Sequence, residues 1–459
     1  MASIVPAQYR SFLPRFYRLA SVAVFSNMMV PLAGLFDAAF LGHLEDINFL
    51  AGVILGGILF DYIYRILKFL RNSTNTLTAN AVGANDEEAV LVTLLRCSLI
   101  ALVIAVVILL FQYPIHKLGF TILSGTSEIE SSGLDYFNAR IWGAPAVLLN
   151  FVLIGWFLGR EMNGVVLLMS IVANGTNVLF DYLMILQWGW ESSGAGLATA
   201  LSQYLALFVG LSVVAVTIQW KVLGKVWAQV MDRAALTSSI ALKSNILVRF
   251  VALISAYSIF TNLSASFGTE ALAKNGLLLQ IAMLSQFTVQ GVGMTSQTLI
   301  GNFKGKEEPE KVLPVLRVAV VSGVAIALTF ALSTVFFPNF VFQLLTNHAE
   351  VSQAMQCYTP WLVPLLSLTA AAFMLESYFT GIKDGKTLRN GALLGFIVGF
   401  APLMLVAAAQ RSEYLLWSAL VGYMAVLLTF LLYRLTKTHS PLVKVEEDKL
   451  SSDIAQPTV

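Results

Sequence analysis

Twelve apolar stretches, each long enough to cross a bilayer, constrain this chain more than any other feature. A membrane helix needs about 20 predominantly apolar residues. The stretches run over roughly 16–41, 47–80, 90–112, 133–157, 164–187, 194–219, 243–267, 271–299, 312–337, 352–380, 388–409 and 413–435. The second, eighth and tenth are long, which fits tilted spans or amphipathic ends that leave the bilayer. Hydrophobic residues make up 57% of the 459 and charged residues only 12%, where a soluble chain carries about a quarter charged. Mean hydropathy is +0.77. An unpaired backbone N–H or C=O is too costly in lipid for open structure, so the spans must be helices. The expected fold class is therefore an all-α membrane protein with twelve transmembrane helices. No cleavable signal peptide is expected, because the first apolar run begins near Phe16, is too long and lacks a small-residue cleavage site.

An even number of spans puts both termini on one side. With that side inside, 24 of the 28 Lys and Arg residues fall on inner segments, and only Lys117, Arg140, Lys274 and Arg411 fall elsewhere. The positive-inside rule thus predicts cytoplasmic termini. Trp188, Trp190 and Trp417 sit near outer span ends, where an aromatic belt is expected.

The chain also repeats itself. Ala79-Asn80-x-x-Gly83-x-x-Asp86-Glu87 returns as Gly301-Asn302-x-x-Gly305-x-Glu307-Glu308, and Trp156-Phe157-Leu158-Gly159 returns as Tyr378-Phe379-Thr380-Gly381. Both pairs are 222 residues, or six spans, apart. Six is even, so the repeat is parallel: two six-helix bundles related by a pseudo-two-fold along the membrane normal. The expected organisation is an N-lobe over 1–219 with spans 1–6, a polar, basic cytoplasmic linker over 220–242, a C-lobe over 243–436 with spans 7–12, and a charged, disordered tail over 437–459. Two like lobes predict a central cleft and alternating access by rocking of one against the other.

Acid is scarce in the spans, which gives two aspartates weight. Asp37 lies in the stretch 28–41 and Asp181 in 165–186. A carboxylate at bilayer depth costs several kcal/mol and usually marks an ion or substrate path. Asn174, Asn177 and Asp181 are spaced i, i+3 and i+7, so they share one helix face. Asn150 in span 4 and Thr199, Ser202 and Gln203 in span 6 can face them. Carboxylates with amide and hydroxyl oxygens suit a hard cation such as sodium. The same two acids held close would raise one pKa and carry a proton. The plainer alternative is that the amides and hydroxyls only bond helices together, a task that a neutral residue performs at less cost than Asp37 or Asp181.

Other polar groups are read more modestly. Asp61 and Arg65 form an i,i+4 ion pair, Asp135 and Arg140 are solvated at the outer start of span 4, and Glu376 lies close to Lys383, where it could titrate or form an inner-gate salt bridge. Pro31, six residues before Asp37, removes a backbone donor and is a candidate hinge. Asn262 in span 7 and Gln280, Gln286, Gln290 and Gln297 in span 8 read as a polar cavity lining. Thirteen methionines and 30 phenylalanines can supply an adaptable apolar wall. Cys97 and Cys357 read as small apolar packing residues. His43, His116, His348 and His439 sit in loops or the tail without metal-ligand spacing. The sequence carries no Walker A loop and no enzyme motif, so no catalytic residue, no cofactor and no nucleic-acid partner is expected.

The sequence resembles the multidrug and toxic compound extrusion (MATE) transporters over about 15–436. Pro31-Leu32-x-Gly34-Leu35-x-Asp37 followed by Leu41-Gly42-His43-Leu44 is similar to the first-helix signature of the subgroup named for DNA-damage-inducible protein F, and Asn177-x-x-x-Asp181 and Gly194-Ala195-Gly196-Leu197-Ala198-Thr199 match it too. The resemblance implies a V-shaped pair of lobes and a monomeric antiporter in the inner (plasma) membrane. It would exchange organic, often cationic, drug-like compounds for protons or sodium, the only ligand besides substrate and lipid. It implies a proton or cation site at Asp37, Asn177, Asp181 and Thr199, with Ala195 offering a backbone oxygen; the first four would also hold sodium as a metal. Asn150, Asn174, Ser202, Gln203, Asn262 and Gln280 would line the substrate cavity. The second major subgroup uses acids on spans 7, 8 and 10, and spans 7 and 8 lack convincing counterparts here. The competing function is a flippase for lipid-linked precursors, which needs basic residues inside the cavity; such residues read as nearly absent. A channel is less favoured, since no ring of selectivity residues is present.

Overall fold

The computed structural model describes residues 7–42, 47–122, 126–218, 220–230, 232–343 and 355–438. Among these there is no strand, and eleven helices are long and apolar enough to cross a membrane. They are span 2 (Asn48–Gly83), span 3 (Glu87–Leu110), span 4 (Ser127–Gly159), span 5 (Asn163–Gln187), span 6 (Glu191–Thr217), span 7 (Leu242–Phe267), span 8 (Glu270–Gly305), span 9 (Pro309–Phe336), span 10 (Thr359–Gly381), span 11 (Gly385–Gln410) and span 12 (Glu413–Thr438). Helix Leu13–Gly42 precedes them as span 1 and runs unbroken through Pro31. The His43, His348 and His439 positions and most of the tail lie outside the described residues.

The spans form two six-helix bundles, as the repeat predicts. In the N-lobe, span 1 packs on span 5, span 5 on span 6, and the second half of span 2 on span 4. In the C-lobe, span 8 packs on spans 9 and 10, and span 7 on span 11. The repeat is visible in the backbone itself. The residues just past spans 2 and 8, Asn85 and Glu307, both have positive φ, and so do Glu161 and Lys383 after spans 4 and 10. Each pair is related by the 222-residue offset. A left-handed residue closes a helix by turning its last amides back onto free carbonyls, so the same stop recurs in both lobes. Side-chain packing repeats as well: Trp156 meets Phe157 edge-on at 5.3 Å and Tyr378 meets Phe379 at 5.0 Å.

The lobes are joined where span 8 lies against spans 1 and 2. At one end, Gly83 of span 2 faces Asn302 and Gly305 of span 8. Around this crossing Gln297 donates to the Asn72 carbonyl at 2.7 Å and to Thr76 Oγ1 at 2.9 Å, Thr298 donates to Asn75 Oδ1 at 2.9 Å, and Asn80 Nδ2 donates to the Gly381 carbonyl at 3.1 Å. Small residues and interhelical amide bonds are the means by which membrane helices hold together without a hydrophobic driving force. This end of the cleft is shut.

Several expectations need correction. Span 4 is longer than its apolar stretch, because a single 3₁₀ turn at Ile141–Gly143 couples the polar helix Ser127–Arg140 to the apolar helix Ala144–Gly159. Arg140 at its inner edge is not simply solvated, since its guanidinium lies 4.7 Å from the Phe60 ring. Trp417 is no belt residue: it is fully buried and donates to Asn275 Oδ1 at 3.0 Å. His116 is on helix Gln112–Ile122 rather than in a loop. Cys357 is exposed, whereas Cys97 is buried and accepts from Lys243 Nζ at 3.5 Å. The linker holds a helix, Trp220–Val230. Val226 and Val230 bury against Leu91 and Val92 of span 3, and Arg96 donates to the Gln229 carbonyl at 2.6 Å. Apolar residues at i and i+4 inside a basic segment are enough to dock one face.

Candidate cation site and inter-lobe cavity

Two regions hold the polar groups of interest, one inside the N-lobe and one between the lobes. In the N-lobe, Asn177 and Asp181 are buried, with 6% and 0% of their surface exposed. Asp181 closes the α-helical part of span 5, and a π-helical stretch, Tyr182–Gln187, follows it. Such π segments reorient side chains and often accompany functional sites.

The neighbouring spans fix the level of this site. Asn163 Nδ2 donates to the Leu19 carbonyl at 2.9 Å, and Arg15 pairs with Glu161. Spans 1 and 5 therefore run side by side in the same direction. Asp37 lies as far beyond Leu19 as Asp181 lies beyond Asn163, about 27 Å at 1.5 Å per residue. The two aspartate positions thus share a level; the side chains of Asp37 and Pro31 lie outside the described residues. Span 6 runs the opposite way: Gly194 sits against Met184, and Gly210 against Met169. That register sets Thr199 at a level between Asn177 and Asp181. Thr199 donates to the Ala195 carbonyl at 3.0 Å. Asn177 Nδ2 is buried without a hydrogen-bond partner among the described residues, an amide that interior packing rarely leaves unused.

The flanking polar residues divide. Asn150 Nδ2 donates to the Gln203 carbonyl at 2.9 Å and to Gln203 Oε1 at 3.1 Å, and Ser202 donates to the Thr199 carbonyl at 2.8 Å. These bonds tie span 4 to span 6 and stiffen span 6. Asn174 is half-buried and donates back to the Ser170 carbonyl at 2.7 Å.

The cavity lies elsewhere, between the lobes. It measures about 280 Å³ and is walled by span 2, span 7 and span 8, near the lower end of the range for small-molecule sites. Gln286 and Gln290 line it. Asn262 and Gln280 do not: both are exposed and lie outside the lining, Gln280 one turn before Met283, the first span 8 residue of the wall. Its charged residues are Asp61, Arg65, Lys68 and Arg249. Asp61 and Arg65 pair at 3.6 Å. Glu376, 3% exposed, pairs with Arg249 rather than with Lys383. Arg71 sits behind the lining, 8% exposed, and donates to Gln290 Oε1 at 3.4 Å and to Asn27 Oδ1 at 3.5 Å. Basic residues are therefore present inside the molecule, against the sequence reading. Positive-inside counting places them on inner segments, which says nothing of whether they face a cavity. Span 2 is 36 residues long, nearly twice what a bilayer needs, and that length was the available sign that Lys68 is not at its end.

The arrangement of spans and repeats matches a known family. The MatE family model covers residues 23–183 and 246–405, one match in each lobe. The chain belongs to the MatE family. It is thus a member of a family of multi-pass membrane transporters for multidrug efflux. This MatE chain is 28% identical over 410 residues to DNA damage-inducible protein F of Escherichia coli (strain K12), covering 89% of each. It is 23% identical over 388 residues to the probable multidrug resistance protein NorM of Thermotoga maritima, covering 82% of this chain and 79% of that one. Its fold matches a multidrug resistance MATE family transporter of the MOP superfamily in an outward-facing conformation, with a TM-score of 0.81 at 19% identity over 91% of this chain and 94% of the other.

Proposed function

We propose that this MatE protein is a secondary active antiporter that exports organic amphiphiles in exchange for protons or sodium across the inner (plasma) membrane, with both termini cytoplasmic. The observation that carries this reading is the shared level of the Asp37 and Asp181 positions, with Asn177 and Thr199 at about the same height of the N-lobe, apart from the cavity between the lobes. Separate ion and substrate regions that share mobile spans allow each ligand to bias the other's state.

In this reading the glycine crossing of spans 2 and 8 is the cytoplasmic gate, held shut, and the cleft opens outward. Entry of a proton or sodium ion at Asp37 and Asp181 neutralises charge, lets span 1 bend near Pro31 and repacks the N-lobe wall. Loss of the ion to the inside restores the charge and resets the lobes. The chain then needs no chemistry beyond ion and substrate binding.

The test is uptake of a fluorescent amphiphilic dye into everted vesicles, energised by a proton gradient or by a sodium gradient. One gradient drives uptake, and Asp37→Asn and Asp181→Asn remove it at equal protein level. Full transport by Asp37→Asn would overturn the reading.

A second reading is the lipid-linked precursor flippase. Lys68 and Arg249 in the lining, with Arg71 behind it, supply the basic groups that it needs. Failure of both gradients in the vesicle assay, with a correctly folded protein, favours it.

A further inference from the structure

The two walls of the inter-lobe cavity come from repeat-related segments, yet they carry different chemistry. Positions 61, 65 and 68 of span 2 correspond by the 222-residue offset to 283, 287 and 290 of span 8, and all six line the same cavity. On span 2 they are Asp61, Arg65 and Lys68; on span 8 they are Met283, Phe287 and Gln290. One wall is charged; the other carries no charge, being apolar at Met283 and Phe287 and amide at Gln286 and Gln290. Leu253, Ile254 and Phe250 of span 7 extend the apolar side.

The charges do not balance. Asp61 is taken by Arg65, and Glu376 by Arg249. Two cations remain. Lys68 lies 5.4 Å from the Phe287 ring centre, and no carboxylate pairs with it among the described residues. Among the described residues Arg71 has only the amide oxygens of Gln290 and Asn27, at long distances, and its buried Nε has no partner. Uncompensated cations this deep in a membrane protein are costly and tend to mark a ligand path. Guanidinium and ammonium groups together suit a planar or tetrahedral oxyanion.

We infer that the inter-lobe cavity takes an amphiphile with an anionic head group, a carboxylate, sulfonate or phosphate, held by Lys68 with Arg71 behind it, while its apolar body lies against Met283 and Phe287. This names a substrate class for the proposed transporter and rests on that reading, and it reverses the charge that the family resemblance implies. A cationic compound would meet like charge on the span 2 wall. Among the described residues the one acid of that wall, Asp61, is already engaged by Arg65.

The experiment is equilibrium binding to purified protein by fluorescence anisotropy, with two dyes of one aromatic skeleton and opposite charge: the fluorescein dianion and the rhodamine 123 cation. Wild-type protein binds fluorescein at least about tenfold more tightly. Lys68→Glu loses that preference by a similar factor, and Lys68→Arg keeps it. A melting curve for each variant confirms folding. Competition then separates the sources of the anion: displacement by a polyprenyl phosphate alone points to a lipid head group, and displacement by a soluble aromatic carboxylate points to a free organic acid. Both outcomes support an anion site. Tighter binding of rhodamine 123 by wild-type protein, or unchanged fluorescein binding in folded Lys68→Glu, overturns it. The assay uses no ion gradient, so its failure is distinct from a failure of antiport.

Discussion

Gly83 and Gly305 occupy equivalent positions in the two lobes and meet reciprocally across the lobe boundary. A Cβ on Gly83 would overlap the Asn302 carbonyl, and one on Gly305 would overlap the Asn80 carbonyl. Backbone meets backbone here, so neither contact can be relieved by turning a side chain. Gly83→Ala and Gly305→Ala should each cost about 1–3 kcal/mol, the usual penalty of overpacking, and lower the melting temperature in detergent. Gly57→Ala, on the same span with nothing within 4 Å, serves as the control and does not lower it, since alanine suits a helix interior better than glycine. Equal melting of all three would show that the lobes do not depend on this crossing.

The buried pair Arg249–Glu376 makes a second prediction. Their side chains are 9% and 4% exposed. Removing one partner strands a charge, which typically costs about 3–5 kcal/mol, whereas replacing both with apolar residues of like size is often neutral. Glu376→Ala should therefore melt well below wild type, and the double variant Arg249→Met with Glu376→Met should recover most of the loss. A double variant as unstable as the single one would mean that the pair holds the C-lobe through more than charge balance.

The anchor between spans 1 and 5 can be tested separately from the acids. Asn163 is 5% exposed and its amide holds the Leu19 carbonyl. Asn163→Ala removes one buried hydrogen bond, worth about 1 kcal/mol, and frees the register that brings Asp37 level with Asp181. Stability should fall slightly, and the ion concentration for half-maximal dye transport should rise several-fold. An unchanged ion dependence would separate the register from coupling.

The linker helix gives a fourth. Val226 is fully buried against span 3. Val226→Asp places a charge in that contact, so the helix should detach and the linker should become sensitive to trypsin at Lys225 under conditions where wild type is resistant. Trp227→Ala, which alters an exposed side chain, should not change the cleavage.

Much of the architecture was legible because lipid leaves few options. A stretch of apolar residues in a bilayer has to be helical, and a motif repeated after six spans has to give two parallel bundles. Asp181 and Asn177, which the structure buries, stood out in the sequence for the same reason: polar groups on one face of an apolar helix are conspicuous. The sequence reading misplaced Trp417, Asn262 and Gln280, since their surroundings depend on which helices pack against spans 7, 8 and 12. It also missed Lys68 and Arg71 as interior cations. A basic residue counted to the inner side satisfies the positive-inside rule, and the length of the 47–80 stretch, which sets these two well before its end, was not weighed against it.

The sequence alone determined the number of spans, the repeat, the family and the residues of the N-lobe face. These follow from hydropathy, periodicity and motif spacing, which are local properties of the chain. Only the tertiary structure decided that Glu376 pairs with Arg249, that the lobes close at Gly83 and Gly305, and that one cavity wall is charged while its repeat-related partner is uncharged. Each of these joins residues more than 100 positions apart, and their partnership is set by how helices pack.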